Sequence, residues 1–204
     1  YFIGFLVGSF ITPSLVRGVG HIRVFAALAS LASASVLIQI LFISPTLWFG
    51  MRLLAGTCFA GAFVIVESWL NARSDDNSRG RVLSIYMIIT FSGMAGGQFL
   101  LNIADPADFN LFLIASILLS LALVPVLISR ISAPEIELHT EIGFSELIRH
   151  APTGILSLFL VAIAQGGLFG MAAVYASKAG YTVSQTVWFM SSFILLGAFL
   201  QWPI

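Results

Sequence analysis

Seven stretches of about twenty apolar residues, almost free of charge, leave this chain few ways to fold. They fall at about 1–16, 22–43, 47–70, 82–102, 109–129, 154–177 and 182–204. A helix needs about 20 residues to cross the ~30 Å hydrocarbon core of a bilayer, since each residue adds about 1.5 Å. Strands of a membrane barrel would be about 10 residues long and would alternate apolar with polar. These runs are twice that length and continuously apolar. Only 9% of the residues are charged, 59% are hydrophobic, and the mean hydropathy is +1.03. A soluble domain carries roughly a quarter charged residues to wet its surface. The expected class is an all-α membrane protein whose outer surface is covered by the lipid bilayer.

The gaps between the runs carry turn and charge signals: Arg17 to His21, Ser44-Pro45-Thr46, Asn71 to Arg81, Asp105-Pro106 and Ile131 to Thr153. Cytoplasmic loops are enriched in Lys and Arg. Arg17, Arg23, Arg73, Arg79, Arg81, Arg130 and Arg149 fall on one side, Lys178 alone on the other, and Arg52 inside the third run. This asymmetry puts loops 17–23, 71–81 and 130–153 in the cytoplasm, and the chain is expected in an inner membrane. The longest connection holds Glu135, Glu137, Glu141 and Glu146, and its segment Phe144–Arg149 reads as a short amphipathic helix for the membrane surface. We expect it to divide the chain into an N-terminal membrane half (1–130), a cytoplasmic linker (131–153) and the start of a second half (154–204). Both chain ends lie inside apolar runs, so a piece of a longer protein is expected. Gly8–Pro13 is weakly echoed by Gly197–Pro203, as two parallel six-helix repeats would give.

Several of these segments resemble the major facilitator superfamily. Leu47 to Gly56 resembles the family's fourth-helix motif, an intramembrane Arg (Arg52) followed four residues later by Gly (Gly56). Arg79-Gly80-Arg81 is similar to the family's signal before its fifth helix. Pro13 to Arg23 resembles a degraded Gly-x-x-x-Asp-Arg-x-Gly-Arg-Arg motif, with Arg17 where the acid should stand. Glu67 to Asn71, taken with Val19 to Arg23, most resembles the bacterial YcaD-like branch. The resemblance implies that the runs are helices two to eight of a twelve-helix fold with two pseudo-symmetric halves. It implies a monomeric secondary transporter that moves a small-molecule solute by alternating access, coupled to protons. Gly93-Met94-Ala95-Gly96-Gly97 lacks the proline of the family's antiporter motif, so antiport does not follow.

Arg52 is the sharpest candidate, about 10 Å inside its helix. A cation at that depth costs about 2.5 kcal/mol or more unless water, a counter-ion or carbonyls meet it. It is expected in the substrate or proton pathway with Gln98 and Gln165, two polar residues in apolar runs that serve equally well as interhelical hydrogen-bonding groups. Gln165 precedes Gly166-Gly167, where a helix break is expected. Glu67 closes the inner end of the third run. In the absence of the loop acid, it is expected to latch a cytoplasmic gate with Arg17, Arg23 or Arg81. Gly4/Gly8, Gly93/Gly97 and Gly166/Gly170 place small residues on one helical face, a pattern for close helix packing.

Other classes lack their chemistry. His21, His139 and His150 have no metal-ligand spacing, Cys58 is alone, and no phosphate-cradling loop occurs, so no cofactor, metal or catalytic group is expected. The net charge of zero argues against nucleic acid as a partner. A seven-helix receptor or retinal protein competes on helix number, but a retinal protein needs a lysine in its last span. Lys178, the only lysine, lies in a loop of the predicted topology. A non-transporting membrane subunit is the third reading.

Overall fold

The computed structural model describes residues 1–75, 77–105, 108–128 and 144–200, and these form helices and turns with no strand among them. The helices are α1 (Phe2–Val19), α2 (His21–Leu41), α3 (Pro45–Arg73), α4 (Arg79–Phe99), α5 (Asn110–Ile128), α6 (Phe144–His150), α7 (Pro152–Lys178) and α8 (Val183–Leu200). A 3-10 turn, Leu100–Asn102, extends α4. All but α6 are long and apolar enough to cross a membrane. Each predicted run is thus one helix, and the amphipathic segment is α6, where His150 Nε2 lies 3.9 Å from Glu146 one turn earlier. Glu135, Glu137, Glu141 and the rest of the linker up to residue 143 lie outside the described residues, as do Arg130 and the end of the echo motif at 201–203.

Two expectations are corrected. The segment Pro13 to Arg23 is not a loop: α1 continues through Pro13 to Val19, and the connection to α2 is Gly20 alone. Gly20 has φ 93, a left-handed conformation that glycine adopts without a Cβ clash. Proline is tolerated inside a membrane helix because neighbouring helices hold the chain where one backbone hydrogen bond is lost. The break expected at Gly166-Gly167 does not occur either, and α7 runs unbroken from Pro152 to Lys178. With no water to satisfy freed N–H and C=O groups, an apolar segment keeps its helix despite glycine's low propensity.

The described chain forms two compact units. The first holds α1, α2, α3, the start of α4 up to Met87, and α5. Within it α1 and α3 run parallel at a constant offset of 49 residues: Gly4 opposes Leu53, Gly8 opposes Thr57, and Thr12 opposes Gly61. The glycines let the backbones approach until an added methyl at Gly4 or Gly56 would meet the facing main chain. Thr57 Oγ1 donates to the Gly4 carbonyl at 3.0 Å and to its own Leu53 carbonyl at 3.1 Å. Helix α2 packs on the other side of α3 through a core of Val16, Val24, Leu28, Ala32, Cys58 and Ile65.

On α2's far face, α5 is fastened by buried hydroxyls. Ser33 Oγ lies 2.7 Å from Ser116 Oγ and 3.1 Å from both the Ser116 carbonyl and Ser120 Oγ. Trp48 Nε1 donates to the carbonyls of Gln39 at 3.0 Å and Phe42 at 3.2 Å, which fixes the turn between α2 and α3.

The second unit holds residues 88–103 with α6, α7 and α8. Its centre is the contact of the later part of α4 with α8: Ala95, Val187 and Ser191 are buried, and Ser191 Oγ donates to the Ala95 carbonyl at 3.3 Å. Phe99 and Trp188 meet edge to face at 5.0 Å. A reciprocal cap starts α8. Gln185 Oε1 accepts from the Thr182 N–H at 2.9 Å, and Thr182 Oγ1 accepts from the Gln185 N–H at 3.3 Å.

Candidate functional site

Helix α3 carries the site. Its 29 residues make a rod of about 43 Å, with one side packed against α1 and another against α2. At about 100° per residue, Arg52, Phe59, Phe63, Val66 and Leu70 fall within about 60° of arc, at the edge of the α1 side. Arg52 is exposed there, and its charge reaches the Tyr1 phenol at the start of α1. No carboxylate lies within ion-pair distance of it among the described residues.

A row of rings follows Arg52 down the seam between α1 and α3. Tyr1 and Phe59 have centroids 6.5 Å apart, Tyr1 and Phe5 6.2 Å, and Phe5 and Phe63 6.2 Å. Phe5, Phe59 and Phe63 are half-buried, so part of each side chain stays accessible. Further along the same side, Val66, Trp69, Leu70 and Arg73 line an open groove of roughly 410 Å³ with almost wholly apolar walls.

Glu67 projects about 60° from Arg52 and about 22 Å nearer the Arg-bearing end of the helices. It is half-buried and has no ion pair among the described residues. Arg17, Arg23 and Arg81 are all exposed, at the ends of α1, α2 and α4 that the alternation of the helices brings to this side. What joins α2 to α3 here is His21. Its ring is buried (4% exposed), its Nε2 is 3.5 Å from Ser68 Oγ, and its centroid is 6.3 Å from that of Trp69. Beyond α3, Asp75 and Ser78 cap the entry to α4 reciprocally: the Ser78 N–H donates to Asp75 Oδ1 at 2.9 Å, and the Asp75 N–H to Ser78 Oγ at 3.2 Å. The hydroxyl of Ser78 also bonds the same carboxylate, and these bonds hold the Asp75 carboxyl below the usual aspartate range.

Gln98 is half-buried in the last turn of α4, and Gln165 is exposed on α7. Both belong to the second unit, whereas Arg52 and the four gate candidates belong to the first. Gly93 and Gly97 have nothing within 4 Å of an added Cβ, and neither have Gly166 and Gly170. Of the three paired-glycine patterns, Gly4/Gly8 is the one seated against another described helix.

The ring row, the serine cluster and the His21 contact were not read from the sequence. The serines did carry a signal: Ser116 and Ser120 lie one turn apart in an otherwise apolar run. Among the described residues no group of His, Cys, Asp or Glu is placed to hold a metal ion.

Seven membrane-length helices, with a cation inside one of them, define a polytopic membrane protein. A family model described as transmembrane secretion effector, within the major facilitator class, matches residues 2–151. The chain is 28% identical over its full length to the uncharacterized MFS-type transporter YcaD of Escherichia fergusonii. It is 29% identical to an uncharacterized MFS-type transporter of Yersinia enterocolitica, and 30% to one from an Enterobacter species, again over its full length. In each case it covers 54% of the relative, so it spans about half the length of the curated relatives it matches. No solved structure matches it significantly. The chain belongs to the major facilitator superfamily of membrane transporters.

Proposed function

We propose that this chain supplies helices two to eight of a twelve-helix secondary transporter, monomeric in the bacterial inner membrane, which moves a small solute by alternating access with coupling to protons. The observation that carries the reading is Arg52, an exposed cation inside a membrane helix with no described carboxylate beside it, at the edge of the α1–α3 seam. A side chain so placed is stable only beside water, a ligand or a carboxylate outside the described residues. Water or a ligand there makes a hydrated or ligand-filled pathway along α3, and we take this reading. Gln98 and Gln165, in the second unit, are proposed as further hydrogen-bonding groups for the solute or protons, and Gly93 and Gly97 as a close-approach face to a further helix of the fold.

At the cytoplasmic end Glu67 pairs with Arg17, Arg23 or Arg81 in one of the two access states. A partly exposed pair is worth about 1 kcal/mol, enough to bias a balanced equilibrium between them. The test starts with uptake and efflux profiling of a deletion strain against one complemented with the full-length gene, which identifies a solute. Transport of that solute is then measured in vesicles with an imposed proton gradient. Arg52→Ala should abolish gradient-driven transport, and an unchanged rate refutes the reading. For the gate, disulfide trapping between cysteines at position 67 and at 17, 23 or 81 should occur in one access state. Its absence in every state refutes the latch.

A further inference from the structure

The side of α3 that carries Arg52 is more specific than a generic polar pathway. Phe59 lies 7 residues from Arg52, about 10 Å along the axis, and Phe63 about 16 Å. Both point within about 20° of Arg52's direction. Their rings meet Tyr1 and Phe5 across the seam, at centroid distances of 6.2 to 6.5 Å, and stay only half-buried. A guanidinium therefore heads a strip of partly accessible aromatic rings. Arginine binds planar or tetrahedral anions through paired N–H groups, and aromatic rings favour another ring stacked or edge-on. The acid of the same helix, Glu67, is about 22 Å away, too far to neutralise Arg52 or compete with an anion held there.

Resting on the transporter reading, we infer that the Arg52 side of α3 is a binding site for an amphipathic aromatic anion. The anionic group sits on Arg52, and the ring body lies along Phe59 and Phe63 beside Tyr1 and Phe5. Charge complementarity sets the sign of the ligand, and the length of the ring row sets its shape. A flat body of about 10 Å reaches from the guanidinium to Phe59 and a longer one to Phe63, whereas a compact anion fills the charged end alone.

The test uses saturable binding of radiolabelled 2-naphthalenesulfonate to the purified full-length protein in detergent. Two competitors split the recognition: 2-naphthyltrimethylammonium keeps the rings and reverses the charge, and methanesulfonate keeps the charge and removes the rings. Unlabelled 2-naphthalenesulfonate should displace the label at a concentration at least tenfold lower than either. Arg52→Gln should weaken binding at least tenfold, the loss that follows removal of a charged hydrogen bond. Arg52→Lys should keep most of it, and Phe59→Leu should weaken it about two- to tenfold while leaving methanesulfonate unaffected. Size-exclusion profiles show that each variant remains folded.

No saturable binding, equal displacement by the ammonium compound, or unchanged binding in a folded Arg52→Gln variant overturns the inference. Exchange of the labelled sulfonate in proteoliposomes is scored separately. Binding without exchange refutes the transport reading and leaves the site standing. Transport of another solute by a protein that does not bind the sulfonate does the reverse.

Discussion

Replacing Gly8 with alanine tests the α1–α3 seam on which the Arg52 side is built. A Cβ there would lie 2.9 Å from the Thr57 Cα and 3.0 Å from the Ala60 Cβ, besides meeting the Thr57 carbonyl. Carbon atoms settle at about 3.5–4.0 Å, and the nearest neighbours are main chain, which cannot rotate aside. The two helices must therefore part by about 0.5–1 Å. A gap of that size forfeits about a quarter to a half of each dispersion contact along the seam, and overpacking of this kind costs about 1–3 kcal/mol.

Alanine also raises helix propensity by about 1 kcal/mol, which masks part of that loss. Gly50→Ala removes the ambiguity, because the same change there, inside α3, meets nothing within 4 Å among the described residues. The two variants should differ by about 1–3 kcal/mol, Gly8→Ala being the less stable. Reversible unfolding by SDS titration, followed by circular dichroism, reads the difference. Two variants equal within about 0.5 kcal/mol would refute the close approach.

Ser33→Ala removes the hydroxyl that joins α2 to Ser116 and Ser120, and should cost about 0.6–1.7 kcal/mol in the same titration. An unchanged midpoint would mean that the serines find other partners. Asp75 is held below the usual aspartate value by Ser78. Its contribution to the start of α4 is therefore fully present above that usual value and is lost only as the pH falls through the depressed one. Carbon-13 NMR of the Asp75 carboxyl should show the depressed titration, and Ser78→Ala should return it toward the ordinary value; a normal titration in the unmodified protein contradicts the cap. Thr182→Ala breaks one arm of the α8 cap and should cost about 1 kcal/mol, with faster amide exchange confined to the first turn of α8. Uniform exchange across the helix would place the effect elsewhere.

The helices were legible because lipid imposes one rule on every run: an apolar stretch without water must satisfy its own backbone. That rule gave each of the seven spans and also explains the two places where local reasoning failed. The Pro13 to Arg23 segment is read as a loop and Gly166-Gly167 as a break by soluble-protein habits, in which water or a turn takes up the freed groups. Here α1 continues through Pro13 to Val19, and α7 passes straight through the two glycines. Pairing was harder to read, since identical glycine spacing occurs at Gly4/Gly8 and Gly93/Gly97, yet only the first meets a facing backbone. Spacing says that a close approach is possible; the partner's phase decides whether it happens.

The same limit governs the candidate site. Arg52 stood out because a charge in an apolar run is costly whatever surrounds it. Tyr1, Phe5, Phe59 and Phe63 did not, because each is an ordinary apolar residue until α1 and α3 are set parallel at a fixed offset. Gly4, Gly8 and Gly56 set that offset. The glycines, read as packing, therefore determine which rings face the arginine and how far each lies from it. A change at the seam should consequently alter ligand shape preference before it alters preference for charge. Gly8→Ala is expected to lower the affinity for 2-naphthalenesulfonate and leave that for methanesulfonate nearly unchanged. Equal losses for both would place the rings outside the site and leave Arg52 acting alone.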